Sequence, residues 1–103
     1  MQLEVFRNPL VRARRFYPYV VVLQADIAAM GRERVVAFLV GRKQFGQVSG
    51  RLLPVVDLEG QEFLVLMPSI TNVAVAELGR PLGDLTAFRG KIVDALDWMF
   101  HGI

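Results

Sequence analysis

Apolar residues in this chain come in short runs rich in β-branched side chains, and the one long segment of helical periodicity stands last. That order constrains the fold more than any other feature. Runs of this length are too short for buried helices and read as strands. Residues 19–23 are apolar throughout, with Val20, Val21 and Val22 in succession, as a strand covered on both faces requires. Residues 35–40 repeat the pattern, and residues 3–6 alternate. Residues 52–58 and 63–67 flank Glu59-Gly60, a relative of the Asp-Gly hairpin signal, and residues 73–76 read as a final strand. Residues 41–50 are polar and glycine-rich, too long for a tight turn, and read as a functional loop. Gly79, Pro81 and Gly83 interrupt the pattern before the helix.

The helix is expected to begin near Asp84 or Thr86, either of which supplies a capping oxygen. Leu85, Phe88, Ile92, Leu96 and Met99 then follow three- and four-residue steps and form one apolar stripe. Gly102 stands where a left-handed cap is common. The fold class expected is therefore mainly β with one C-terminal α-helix, in one domain over residues 1–103. Edges left open in such a sheet invite pairing with another chain.

The helix runs straight into Trp98-Met99-Phe100-His101-Gly102-Ile103. Exposing such a tip forgoes about 1.5–3 kcal/mol per large side chain, so docking is expected, on the chain's own core or on a second chain. With 53% hydrophobic residues in only 103, the chain has little interior in which to hide them. A homodimer is the expected way to cover the surplus. A membrane span is excluded as the explanation, because Gln24 and Asp26 follow residues 17–23 far short of the roughly 18 apolar residues needed. Arg12, Arg14 and Arg15 ahead of that run imitate a secretory leader, but Pro18 interrupts it. With no cysteine, the expected location is the cytoplasm.

The net charge is only +2, with a pI near 9.5, and does not by itself point to nucleic acid. Its positive charge is mostly arginine, densest in residues 7–15 and again at Arg32, Arg34, Arg42 and Lys43. Arginine forks carboxylates and phosphates alike, so an acidic partner is as natural as RNA, and plain surface charge is the bland alternative.

No assembled active site is legible. A Ser-His-Asp arrangement would have to join Ser49 or Ser69 to His101, without a nucleophile motif around either serine. Residues 41–48 have phosphate-loop glycine spacing but carry Gln47 and Val48 where lysine and a hydroxyl are needed. Asp94, Asp97 and His101 share a helical face, but one histidine is few for zinc, and a solvated face is the simpler reading. No metal, no other cofactor and no catalytic residue are expected.

Several segments, taken in order, carry a resemblance. They are the Met1-Gln2 opening with its first strand, Tyr17-Pro18-Tyr19-Val20-Val21-Val22-Leu23-Gln24-Ala25-Asp26-Ile27, and Gly31-Arg32 leading into a buried strand. Val48-Ser49 then precedes Leu53-Pro54-Val55-Val56, Asp84-Leu85 opens the helix, and Met99-Phe100-His101-Gly102-Ile103 ends it. Across essentially its whole length the chain resembles the CcdB family of bacterial toxin–antitoxin toxins, which poison DNA gyrase.

The resemblance implies an SH3-like barrel of antiparallel strands with a C-terminal helix and a two-fold dimer. It implies a non-enzymatic poison whose contact with the gyrase A subunit is made by His101, Gly102 and Ile103, with Met99, Phe100 and Ile103 at the dimer interface. It further implies an acidic, disordered antitoxin bound by Arg7, Arg12, Arg14, Arg15, Arg42, Lys43, Phe45 and Val48, and nucleic acid approached only through the antitoxin complex. The arginine clusters suit that partner, whose ordering entropy must be offset by charge pairing.

Two positions depart from the family pattern. His101 stands where members often carry a tryptophan that packs on an arginine of gyrase, and Ala37-Phe38 replaces a proline in the strand after Gly31-Arg32. The competing readings are an RNA-cleaving toxin of the related barrel fold, needing an arginine such as Arg32 beside a general acid or base, and an inactive or retargeted family member.

Overall fold

The computed structural model describes residues 2–24, 31–45 and 50–102. It contains β1 (Glu4–Arg7), β2 (Tyr19–Val22), β3 (Glu33–Gly41), β4 (Val55–Leu58), β5 (Gln61–Ala74), β6 (Gly83–Asp84) and α1 (Arg89–His101). These six strands form one antiparallel sheet in the order β4-β5-β3-β2-β1-β6. The sheet curls until its edges approach. A Cβ placed on Gly83 of β6 would meet Leu58 Cδ1 of β4 at 3.0 Å. The fold is thus mainly β, a nearly closed barrel with one C-terminal helix, as the sequence leads one to expect.

The run of valines in β2 explains the packing. Val21 and Leu23 face one way, joining Val5, Leu39, Met67, Ile92 and Ala95 in the largest core cluster, on which α1 lies. Val20 and Val22 face the other way, with Phe6, Val36 and Val73. β2 is therefore covered on both faces, as its uninterrupted apolar run predicts.

The Glu59-Gly60 hairpin also forms. Both residues have positive φ (53° and 83°), the combination a type I′ turn demands, and Asp57 Oδ1 accepts the Gly60 N–H at 3.0 Å.

Three expectations are corrected. Residues 63–67 and 73–76 are not separate strands. β5 runs unbroken as far as Ala74, and Val75–Glu77 is a 3-10 turn. The sequence suggests a break because Pro68 cannot donate to a ladder. The sheet absorbs it in a register shift, with Val36 opposite Thr71 but Phe38 opposite Leu66. Ala37 lies at that shift. Second, β4 begins at Val55, since Gly50 and Leu53 form only an isolated bridge. Third, α1 begins at Arg89, after a 3-10 turn over Thr86–Phe88. Asp84 Oδ1 accepts the N–H of Thr86, the first residue of that turn, at 3.0 Å and makes no cap on the α-helix, whose N-cap position is Phe88. The hydrogen bonds from Thr86, the backbone one first, hold the Asp84 carboxyl below the usual range.

Candidate functional site

The loop between β1 and β2 carries Arg12, Arg14 and Arg15 of the expected basic residues, with Arg7 at the end of β1 just before it, and its shape is set by a residue that was not singled out from the sequence. Asn8 is fully buried and is the one buried polar residue among those described. Its Nδ2 donates to the Tyr17 carbonyl at 2.8 Å, and its Oδ1 accepts the Leu10 N–H at 2.9 Å. Its backbone N–H donates to the Pro18 carbonyl at 2.9 Å, and its own carbonyl accepts from Arg14 Nε. One amide thus staples both ends of the loop. Burying it unpaired would cost about 1–3 kcal/mol, so the pairing is obligatory. The signal was present as Asn8-Pro9, a turn-initiating dipeptide.

On this frame the 3-10 turn Val11–Ala13 presents its side chains outward. Arg7, Arg12 and Arg15 are exposed and Arg14 is half-buried. Between them Leu10, Val11 and Phe16 are also exposed, at 48%, 69% and 60%. The surface is therefore cationic and apolar at once.

Arg15 meets the second expected cluster. With Arg42 and Lys43, from the turn after β3, it lines an open cleft of about 670 Å³ to which Gly41 and Phe63 also contribute. Arg42 Nη1 is paired with Glu62 Oε1 at 3.2 Å, both side chains near half exposure, so the cleft's charge is partly offset. Phe45 packs against the small cluster of Val40, Leu64 and Leu66. Val48 lies outside the described residues. Arg32 and Arg34 do not join: they stand at the opposite end of β3, where Arg34 Nη1 donates to the carbonyls of Gly31 and Glu33.

The third element is the end of α1. Ile92 and Ala95 are buried, while Phe88, Leu96 and Met99 pack against the same core. The expected stripe forms, with Ala95 added to it. Beyond Met99 the packing stops. Phe100 is 66% exposed and His101 is exposed. Gly102 takes the left-handed conformation (φ 70°), and its N–H donates to the Trp98 carbonyl at 2.8 Å. Ile103 lies outside the described residues.

On the flank of the helix, Arg51 forks Asp94. Nε meets Oδ2 and Nη2 meets Oδ1, both at 2.7 Å, and the guanidinium lies 4.4 Å from the Trp98 ring centre. The hydrogen bond from Arg51, with its charge, lowers the Asp94 carboxyl below the usual range. Asp94 is thereby engaged, and among the described residues no three His, Cys, Asp or Glu side chains gather as a metal site would require. Ser69 is exposed on β5, and Ser49 lies outside the described residues. No helix among the described residues is long and apolar enough to cross a membrane.

Two surfaces are thus built in advance: a stapled basic–apolar loop that shares Arg15 with a cationic cleft, and an exposed aromatic tip on an anchored helix. Compared with known protein families, the chain matches the family described as CcdB protein over residues 2–102.

Proposed function

From the premise that this chain belongs to the CcdB family, a family of toxins in toxin–antitoxin systems, we propose that it binds and poisons DNA gyrase and is neutralised by an acidic, disordered antitoxin. The observation that carries this reading is the tip. Ile92 and Ala95 fix α1 in the core, while Phe100 and His101 stand in solvent at its end. Side chains left exposed on a rigid support suit recognition rather than folding.

In this reading His101, Gly102 and Ile103 contact the gyrase A subunit, and Met99, Phe100 and Ile103 meet their copies across a two-fold axis. Phe100 supports the dimer, since it is apolar and mostly uncovered by its own chain. Arg7, Arg12, Arg14 and Arg15, with Arg42, Lys43, Phe45 and Val48, receive the antitoxin. The exposed Leu10, Val11 and Phe16 suit a partner that sets apolar anchors among its carboxylates. The protein acts as a poison without catalysis of its own, as a single cytoplasmic domain.

A gyrase cleavage-complex assay run beside an RNA digestion tests this. The expected outcome is stabilised cleavage complexes and intact RNA; RNA cleavage without gyrase trapping would favour the ribonuclease reading instead. His101 provides the finer test, because an aromatic ring packed on an arginine contributes roughly 0.5–2 kcal/mol, and tryptophan is the strongest partner. His101→Trp is expected to tighten gyrase binding and His101→Ala to weaken it. Equal affinities for all three would mean that this position does not touch gyrase, and would favour a retargeted member.

A further inference from the structure

We propose that Arg51 is a positioning residue for the C-terminal tip, holding the last turns of α1 to the segment that leads into β4. The inference builds on the reading of the tip as the gyrase contact. Arg51 lies 43 residues from Asp94 in sequence, yet reaches it with two hydrogen bonds of 2.7 Å. Asp94 and Trp98 are one helical turn apart on one side of α1, so a planar fork engages the carboxylate and stacks on the indole together. A lysine has neither the second donor in plane nor the flat face.

The start of β4 itself is tied to the same side of the helix a turn earlier, where Lys91 Nζ donates to the Val55 carbonyl at 3.3 Å. Lys91, Asp94 and Trp98 thus form a second line of attachment, distinct from the apolar line of Ile92, Ala95 and Met99. It extends to the residue that matters for direction. Trp98 offers the carbonyl that accepts the Gly102 N–H, so whatever fixes Trp98 fixes the cap from which the chain end departs.

Folding gives little reason for such a clamp. The side chains of Arg51 and Asp94 are 46% and 47% exposed, and ion pairs at that exposure contribute little to stability. Orientation is what the geometry supplies.

Trp98 is the only tryptophan in the chain, so its emission reports on the clamp directly. The test compares the full chain with Arg51→Ala, Asp94→Asn and the charge-swapped pair Arg51→Asp with Asp94→Arg. The readouts are acrylamide quenching of Trp98, amide exchange of residues 99–102, melting temperature and affinity for the gyrase A subunit. Both single variants are expected to keep their fold, to leave Trp98 more open to the quencher and to exchange about tenfold faster at the tip. They are expected to bind gyrase A about three- to tenfold more weakly, with partial recovery in the swapped pair. Unchanged quenching and exchange in both single variants would overturn the proposal, as would a loosened tip that binds gyrase A with full affinity. If the unmutated chain fails to bind gyrase A, the functional reading falls, while quenching and exchange still decide whether Arg51 positions the tip.

Discussion

Truncating Phe100 to alanine separates what the tip contributes to its own chain from what it contributes between chains. Phe100 is 66% exposed, so about one third of its side chain is withdrawn from water within its own chain. Full burial of a large apolar side chain is worth roughly 1.5–3 kcal/mol, so the intrinsic loss comes to about 0.5–1 kcal/mol. Ile92 is the natural control. It is 1% exposed in the main core, and Ile92→Ala is expected to cost about 2–5 kcal/mol at any protein concentration. For a domain of this size, each kcal/mol moves the melting temperature by roughly 4–8 °C. Phe100→Ala in dilute protein should therefore melt within about 2–8 °C of the parent, and Ile92→Ala about 8–40 °C below it. If Phe100 lies at a dimer interface, its loss must grow with concentration, towards the roughly 3–5 kcal/mol typical of a buried phenylalanine. Thermal melts over a hundredfold concentration range, paired with sedimentation, measure this. A Phe100→Ala loss that stays within about 1 kcal/mol at every concentration would refute the interface.

Three further outcomes are expected. Arg12→Glu should weaken binding of an acidic antitoxin peptide, with the gap narrowing as salt shortens the Debye length below about 10 Å; Arg12 is the cleaner probe, because Arg14 also donates to Asn8 and its reversal disturbs the loop. Removing Gly102 and Ile103 should move the melting temperature of dilute protein by no more than about 5 °C while abolishing toxicity in a cell-killing assay, since terminal residues ordinarily add little to a domain's own core. The Asp94 carboxyl is held below its ordinary value of 3.8 by Arg51, so the stability it adds is present above that value and lost as pH falls through the lowered one. The stability gap between the parent and Asp94→Asn, small for a pair this exposed, should accordingly stay flat from neutral pH to about pH 4.5 and close below it in acid titrations followed by circular dichroism.

What the sequence made legible was whatever leaves a local pattern. β2 and β3 are visible as β-branched runs, the β4–β5 hairpin as Glu59-Gly60, and α1 as a stripe with Gly102 at its end. β5 was hidden because Pro68, Ser69, Thr71 and Asn72 look like a connection, and only the register shift opposite Val36 and Phe38 lets a strand pass through them. Asn8 was hidden for a different reason: a buried amide and an exposed turn residue are spelled alike, and pairing with Tyr17 and Pro18 is a fact of the folded chain. The meeting of Arg51 with Asp94 and Trp98 follows no periodicity, since it depends on the barrel bringing the segment before β4 against the helix. Of the arginines, sequence density marked the loop between β1 and β2 but could not tell that Arg15 would line one cleft with Arg42 and Lys43 while Arg34 would not.

The Asn8 staple also bears on how such a protein diverges. The outline of its loop is written in main-chain bonds and one interior amide, whereas the groups a partner would read are outward side chains with few other duties. Exchanging exposed residues of that kind alters stability by about half a kcal/mol or less, so Arg7, Arg12 or Val11 can be replaced with little effect on folding. Recognition can then drift while architecture stays put. Two descendants in one cell could part company by a handful of surface changes, each ignoring the other's cognate, and Asn8 would be the position that neither lineage can afford to lose.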